Sequence, residues 1–286
     1  MCDPISDSLK LMHEIAPSAT ENAVENLTDE PTKFIGKTVT SFLKIIFEPI
    51  NIYAEKLDYK RKEKLLNWKE CSNANILEIE EDKRIIPPLE IAGPIIDASR
   101  YYFENDTLSK MFSNLLVSAC NVDKIKSVHP AYVKILEQMS ALDAKIMNSF
   151  DKNVSKPIAK YVMDIDLKDN PKSDFEIATN VFYIDHEYDD IDVMSASITN
   201  LERLGLLKLD YSHCYLEKDA YKMYEEDPTY KKFASSRVLP EQVDTFQTHT
   251  QLIKGTAVPT PFGNQFITAC VKKGFHLCGY KIHQTY

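Results

Sequence analysis

One stretch of this chain constrains its fold more than any other, because a helical pattern stops at a glycine and an alternating pattern begins at once. Apolar side chains recur at helical spacing before the stop, which is Gly205. They are Ile191, Met194, Ile198 and Leu201. The residues that follow, Leu206–Tyr211 (LLKLDY), are typical of a β-strand. A helix that leads directly into a strand predicts a domain that combines helices with a sheet.

The segments after this stretch extend the pattern to a winged-helix order. Asp189 or Asp190 can cap the helix, and a polar helical insertion is predicted at Lys218–Ser236. A second strand returns at Phe246–Thr260. Thr260 then serves as the cap of a closing helix whose first turn holds the following proline. The helix that ends at Gly205 is called the reading helix below. It is followed by two strands and a closing helix, and this order predicts a winged helix with an insertion in its wing.

Capping signatures predict the helices that precede the reading helix. One helix starts at Pro130 and ends near Met139, and Ser140 with Asp143 forms a capping box for the next, over Ala141–Phe150. Ser173 and Glu176 repeat that spacing and predict another helix. With only 7 glycines in 286 residues and long periodic apolar runs, the chain as a whole is predicted to be mainly helical.

The N-terminal part of the chain contains its most apolar segment, Thr38–Ala54, which Pro49 should kink or split after Phe47. A membrane span needs about 20 apolar residues, and this segment carries Lys44 and Glu48. We therefore expect a buried core helix, with an interfacial membrane helix as the alternative. The cover should come from a helical hairpin at 85–120, in which Asp106 caps the second helix. Its apolar seam is Leu89, Ala92, Ile95, Ile96, Tyr102, Phe103, Leu108, Met111, Phe112, Leu115 and Leu116.

The charge of the chain argues against sequence-specific nucleic-acid binding, since a net charge of −9 offers few anchors for phosphates. The outward face of the reading helix balances one acid against one base. It carries Asp192, Ala196, Thr199, Asn200 and Arg203. The densest basic run, Asp58–Lys69 with Lys60, Arg61, Lys62 and Lys64, is interpreted as a solvated helix face.

Two clusters contain residue types that bind metal ions, and neither has convincing ligand spacing. The acidic run Asp185–Asp192 could hold a divalent ion for a nuclease, but it is better explained as a loop that caps a helix. The zinc candidates are Cys270, His276 and Cys278, with His213 and Cys214 as further ligands. His129 is expected to cap a helix. The sequence thus predicts no catalytic, cofactor-binding or metal residues. Unpaired cysteines without an export signal indicate a cytoplasmic protein.

Four segments together resemble the Abi-alpha family, a bacterial domain family of unknown biochemistry that is linked to abortive infection. They are PPLEIAGPIIDASRYYFENDTLSKMFSNLLVSACN, VHPAYVKILEQMSALDAKIM, ITNLERLGLL and GTAVPTPFGNQFITACV, in the family's order. The resemblance runs from about Phe34 to Val271. One departure is Val258-Pro259, where the family pattern has Leu-Thr-Pro-x-Gly, although Thr260-Pro261 keeps the cap and Gly263 keeps the glycine. The family brings no agreed catalytic residues.

These patterns predict a mainly α fold: an N-terminal helical bundle followed by a winged-helix-like α+β domain with an insertion in the wing. The expected divisions are a flexible or weakly helical segment 1–27, a helical domain 28–125, the winged-helix-like domain 126–274 and a tail 275–286.

The resemblance implies antiviral defence against phage by abortive infection. We expect the protein to act as a sensor or effector through contact with a phage or host protein, without evident catalysis. Arg100 and Asn114 on the hairpin are candidate polar anchors of a partner surface. Two alternatives remain open: a membrane-active effector that uses 38–54 after triggering, and a winged-helix transcriptional regulator. Homo-oligomerisation is also left open.

Overall fold

The computed structural model describes residues 37–167, 170–184, 190–217, 219–235 and 246–271. Within these ranges the protein is mainly helical and carries a four-stranded antiparallel sheet. The chain divides into two compact units. The first combines residues up to Gln138 with a return segment from Thr268 onwards, and the second comprises Met139–Ile267. The predicted segments 1–27 and 275–286 lie outside the described residues.

Helix α1 (Lys37–Ala54) of the first unit contains the apolar segment singled out in the sequence. It packs against α2 (Tyr59–Leu77) and α3 (Leu89–Tyr102). Its inward side chains are almost fully buried: Leu43, Ile46, Phe47, Ile50 and Ala54. Phe47 meets the indole of Trp68 edge-on, with ring centroids 6.2 Å apart. The predicted burial of this helix is confirmed, but part of its cover comes from α2, which was not predicted.

α1 continues through Pro49, so of the kink or split predicted after Phe47 the split is wrong. Proline lacks the N–H that would donate to the carbonyl oxygen of Ile45, one turn earlier, and Ile45 is only partly buried. Water can therefore replace the lost partner on this side of the helix. Among the described helices, α1 included, none is long and apolar enough to cross a membrane.

Helices α3 and α4 (Asp106–Ala119) pack together as the hairpin predicted for residues 85–120. The cap of α4 differs from the prediction, because the side chain of Asn105, not Asp106, accepts hydrogen bonds from Thr107 N and Leu108 N at 3.1 Å. Most of the predicted seam is buried: Ala92, Ile95, Ile96, Phe103, Leu108, Met111, Phe112, Leu115 and Leu116. Leu89 and Tyr102 are partly buried.

Helix α5 (Ala131–Glu137) and the return segment complete the first unit. α5 packs against both α3 and α4. The side chains of Asn114 and Ser118 on α4 donate hydrogen bonds to the carbonyl oxygens of Cys270 and Ala269, each at 2.9 Å. The end of the returning chain is thus fixed to the hairpin by side chains that reach its unpaired carbonyl oxygens.

The second unit begins with α6 (Ala141–Ser149), and its predicted capping box is confirmed. Ser140 Oγ accepts from Asp143 N at 3.0 Å, and Ser140 N donates to Asp143 Oδ2 at 2.7 Å. The sheet follows, with β1 (Lys156–Leu167), β2 (Asn170–Val181), β3 (Leu207–Asp210) and β4 (Phe246–Pro259) in the order β2-β1-β4-β3. Every neighbouring pair is antiparallel.

The helix predicted from Ser173 and Glu176 is wrong, since this segment forms strand β2. Phe175, Ile177, Thr179 and Val181 alternate along the chain with other residues, and this period of two favours a strand. Pairing with β1 along nearly its whole length decides for the strand, because tertiary contacts outweigh a capping signature.

The helix before Gly205 and the elements that follow it form where the sequence predicts them. Helix α7 (Ile191–Arg203) is capped by Asp190, and Gly205 ends it with φ +74°. The insertion forms α8 (Lys222–Glu226) and α9 (Pro228–Ser235), and α10 (Pro261–Cys270) closes the unit. Thr260 Oγ1 accepts from Gly263 N at 2.9 Å and donates to Gly205 O at 2.6 Å. It therefore joins the start of α10 to the end of α7.

Candidate functional site

The insertion between β3 and β4 packs against the sheet through an apolar cluster that contains six tyrosines. The cluster comprises Tyr161, Tyr183, Tyr215, Tyr221, Tyr224 and Tyr230. Two hydroxyls donate to strand carbonyls: Tyr221 to Gly255 O at 2.7 Å and Tyr224 to Pro157 O at 2.6 Å. Each ring buries apolar area while its hydroxyl is satisfied, so the insertion is held in a defined position on the sheet.

A buried carboxylate, Asp227, lies at the centre of this network. One of its oxygens accepts a hydrogen bond from the Tyr183 hydroxyl. The other accepts from Thr229 N at 2.6 Å and Tyr230 N at 3.0 Å, so Asp227 caps α9. Pro228 occupies the first helical position, where a missing N–H costs nothing. Asp227 thereby links the insertion to the residues that follow β2.

The protonation of these groups suits a structural role. Burial raises the pKa of the Tyr183 hydroxyl, and its hydrogen bond to Asp227 raises that pKa further. Burial also raises the pKa of Tyr224. Both hydroxyls remain neutral donors at physiological pH. Outside the cluster, burial raises the pKa of the Cys120 thiol to about 12, so this thiol is not a nucleophile at neutral pH.

A cleft of about 420 Å³ adjoins the insertion. Its walls come from β2, the start of α7, and α9. They are formed by Phe175, Ile177, Ala178, Asp190, Ile191, Asp192, Thr229 and Phe233. Phe175 is 56% exposed, and both aspartates are exposed as well. Aromatic walls beside carboxylates suit a ligand that is both apolar and positively charged.

The acidic run predicted as a metal candidate contributes a helix cap to this region. Asp190 Oδ1 accepts from Asp192 N at 3.0 Å and Val193 N at 3.3 Å. Residues 185–189 of the run lie outside the described residues. In the part of the chain that the structure describes, no group of three or more His, Cys, Asp or Glu side chains could hold a metal ion.

The zinc candidates are only partly described. Cys270 is buried, whereas Cys214 is exposed. His213 is exposed and its Nδ1 lies 3.0 Å from Asp210 Oδ2. His276 and Cys278 lie outside the described residues.

Three side chains on the outward face of α7, the candidate face for DNA contact, form hydrogen bonds within their own unit. Asn180 Nδ2 donates to Thr199 Oγ1 at 2.9 Å. Asn200 Nδ2 donates to Asp143 Oδ2 at 2.9 Å, and Arg203 Nε donates to Asn200 Oδ1 at 2.9 Å. These hydrogen bonds give the three side chains structural roles within the unit.

Three further candidates have local structural roles. Arg61 in the basic run pairs with Glu104 at 3.0 Å and Asp58 at 3.7 Å, while Lys60, Lys62 and Lys64 are exposed on α2. His129 Nδ1 accepts from Ala131 N at 3.1 Å, close to the start of α5. Asn114, proposed as a partner anchor, instead holds the carbonyl oxygen of Cys270.

Arg100 is the candidate that remains at a surface. Its guanidinium lies 5.6 Å from the ring centroid of Tyr53 and 5.1 Å from that of Tyr101, and it pairs with Asp97. The two rings meet edge-on at 6.1 Å. Tyr101 is 61% exposed. Arg100, Tyr53 and Tyr101 therefore form an ordered aromatic and cationic patch on α1 and α3, named here the Arg100 patch.

Sequence reasoning missed the network around Asp227, although its signals are present. The segment between β3 and β4 holds five tyrosines, at 211, 215, 221, 224 and 230, a density that favours a packed surface over a solvated loop. Asp227 followed by Pro228 is a helix-start signature. The cleft gave no such signal, because its walls come from three separate elements.

Comparison with known proteins identifies the family. A family model described as Abortive infection alpha matches residues 56–270. Since the match covers most of the chain, the protein belongs to this family. The family's name associates it with abortive infection, a defence against phage. No curated protein and no solved structure matches.

Proposed function

We propose that this member of the abortive infection alpha family defends cells against phage through contact with a phage or host protein, as a sensor or effector without catalysis of its own. The observation that carries the proposal is the Arg100 patch. Tyrosine and arginine dominate the binding energy of many interfaces. Here stacking orders the guanidinium in advance, which reduces the entropy lost on binding.

The alternatives receive less support. A membrane-active effector would have to expose the buried face of α1, at about 1.5–3 kcal/mol for each large apolar side chain. A transcriptional regulator would have to bind DNA phosphates with a chain whose net charge is −9. We place the protein in the cytoplasm, in keeping with its free cysteines.

The finer architecture is proposed on the same basis. α1 to α4 are assigned to an N-terminal helical bundle, supported by the packing of α1 on α2 and α3. The second unit is assigned to a modified winged helix, supported by the order α7, β3, insertion, β4 and α10. In this assignment a strand, β2, stands where a helix was expected, and the wing carries the insertion.

The test is a phage challenge of cells that express the wild-type protein, Tyr101→Ala, Arg100→Ala or no protein. We expect wild type to reduce plaque numbers over a phage panel and both variants to lose most of that protection. Loss of a dominant interface side chain costs about 2 kcal/mol, or about 30-fold in affinity. Tyr59→Ala is the matched control, since Tyr59 is 81% exposed in the same unit and is not part of the patch.

Three results separate the levels of the proposal. Equal plaque counts with and without the gene, across the panel, would refute phage defence. Full protection by both patch variants, at wild-type protein levels, would refute the Arg100 patch as the contact surface. Equal loss in Tyr59→Ala would show that the patch has no special role.

A further inference from the structure

We propose that the outer edge of β2 and the adjoining cleft form a docking site for an extended, lysine- or arginine-rich segment of a partner protein, which adds to the sheet as a further strand. This inference rests on the proposed function, because it assumes action by protein contact, and it specifies the chemistry of the partner.

The edge of β2 is open to such a strand. β2 is the terminal strand of the sheet, and within the described ranges no other strand pairs with its outer side. An unpaired edge presents backbone N–H and C=O groups that another chain can complete. Pro171 limits the site at one end because it lacks an N–H. At the other end, Ser195 Oγ on α7 donates to Thr179 O at 2.6 Å. Residues 172–178 remain, enough for about seven residues of partner at about 3.3 Å each.

The cleft offers a place for the side chains of the added strand. Successive side chains of a strand point to opposite faces of the sheet, so alternate residues of the partner would enter the cleft. Phe175 on β2 and Phe233 on α9 form two of its walls. The exposure of Phe175, at 56%, is high for a phenylalanine. An apolar or aromatic side chain of the partner would cover it.

The charges around the edge select a basic partner. Asp174 on β2 and Asp190 and Asp192 at the start of α7 are exposed. None of these carboxylates forms an ion pair with another described residue. Lys232 partly offsets them, since its Nζ lies 5.9 Å from the centroid of the Phe233 ring. Glu176 is already paired with Lys160 at 3.5 Å. The excess of carboxylates would attract lysine or arginine residues that alternate with the apolar ones.

A second copy of this chain is a poorer occupant of the same edge. Antiparallel self-pairing centred on Phe175 would place Asp174 opposite Glu176 twice, with no pair of opposite charges to compensate. Like charges directly opposite one another destabilise a strand pair. A heterologous basic segment avoids this repulsion.

The experiment measures binding of the full chain to a dye-labelled peptide of seven residues that alternates lysine with valine and phenylalanine, capped at both ends. Two matched peptides test the mechanism: one has glutamate in place of lysine, and the other carries N-methyl groups on alternate amides. We expect saturable binding of the lysine peptide and at least about tenfold weaker binding of both controls, because one loses charge complementarity and the other loses main-chain hydrogen bonds.

Protein variants locate the site. Phe233→Ala and Asp192→Lys should each weaken binding of the lysine peptide by about tenfold. Asp219→Lys, an exposed charge reversal in the insertion outside the cleft, should leave binding unchanged. Unaltered hydrogen exchange of the β1 amides would confirm that each variant retains the sheet.

Several results would overturn the inference. One is a lysine peptide that shows no binding up to about 1 mM. Another is an N-methylated peptide or a glutamate peptide that binds as tightly as the lysine peptide. A third is an Asp219→Lys variant that weakens binding as much as Asp192→Lys does. Dimerisation of the protein in solution is a further outcome to measure. If the lysine peptide does not disrupt the dimer and Asp174→Lys strengthens it, the edge binds a second copy of this chain instead. Phage protection is scored separately, so failure of the docking site would not be confused with failure of the proposed defence function.

Discussion

Replacement of Asp227 by alanine should release the insertion from the sheet while the rest of the protein stays folded. The carboxylate is 1% exposed and joins three donors: the Tyr183 hydroxyl, Thr229 N and Tyr230 N. Asp227→Ala removes the cap of α9. It also removes the main acceptor of the buried Tyr183 hydroxyl and leaves the Tyr161 hydroxyl, 3.3 Å away, as a weaker partner.

The size of the effect follows from these two losses. An N-cap contributes about 1 kcal/mol, and a buried donor left without its main acceptor costs about 1–3 kcal/mol. The local stability of the insertion should therefore fall by about 3 kcal/mol, which corresponds to about 100-fold in an opening equilibrium. Tyr183→Phe alone should cost less, because the α9 cap remains.

Hydrogen exchange of the backbone amides in residues 222–235 is the appropriate assay. Intrinsic fluorescence of the single tryptophan, Trp68, reports on the first unit and would miss the change. Exchange in Asp227→Ala should accelerate by about 100-fold in α9 and leave α4 unchanged. Asp219→Ala, an exposed aspartate of the same insertion, should match the wild type.

A double-mutant cycle with Asp227→Ala and Tyr183→Phe tests the direct link. The two changes should be non-additive by at least about 1 kcal/mol, because the second removes the hydroxyl that the first leaves unpaired. Additive effects, or an Asp227→Ala variant within about 0.5 kcal/mol of wild type, would refute the reasoning.

Four further predictions follow from the described contacts. Ile46→Asp should unfold the first unit or lower its free energy of unfolding by at least about 3 kcal/mol. Ile52→Asp, at a position 39% exposed, should be tolerated. Neither variant nor the wild type should float with liposomes. Gly263→Ala should destabilise the second unit by at least about 1–3 kcal/mol in chemical denaturation, because a Cβ there would lie 2.0 Å from Leu206 O. Iodoacetamide at pH 8 should modify Cys214 far faster than Cys120, whose thiol pKa of about 12 keeps it neutral until the solution is strongly alkaline. Electrophoretic mobility shifts should reveal no sequence-dependent DNA complex tighter than about 10⁻⁸ M; a nanomolar complex would restore the regulator hypothesis.

Much of the helical structure was predictable because its signals are local. The seam of α7, the stop at Gly205, the capping box at Ser140 and the cap at Thr260 each depend on residues a few positions apart. Such signals survive folding when tertiary contacts agree with them. The hairpin of α3 and α4 was predictable for the same reason, and only the identity of its cap changed by one residue.

The errors arose where distant residues decide the outcome. Pairing between β1 and β2 overrode the capping signature at Ser173, and a capping signature carries no information about such pairing. Trp68, which covers α1, lies on α2, and the sequence of α2 is too polar to indicate a buried face. The candidate cleft is assembled from β2, α7 and α9, so none of its walls is visible as a motif. The Arg100 patch was half predicted: its arginine was singled out, but neither of its tyrosines was.

The return of the chain to the first unit has a consequence for synthesis. Ser118 donates to the carbonyl oxygen of Ala269, a residue 151 positions later in the chain. At about 5–20 residues per second, a ribosome needs about 8–30 s to deliver that acceptor. Through this interval the nascent hairpin exists without its final partners, while the whole second unit emerges. A message truncated anywhere before the codon for Ala269 would therefore yield an incomplete first unit, even when it encodes the whole hairpin.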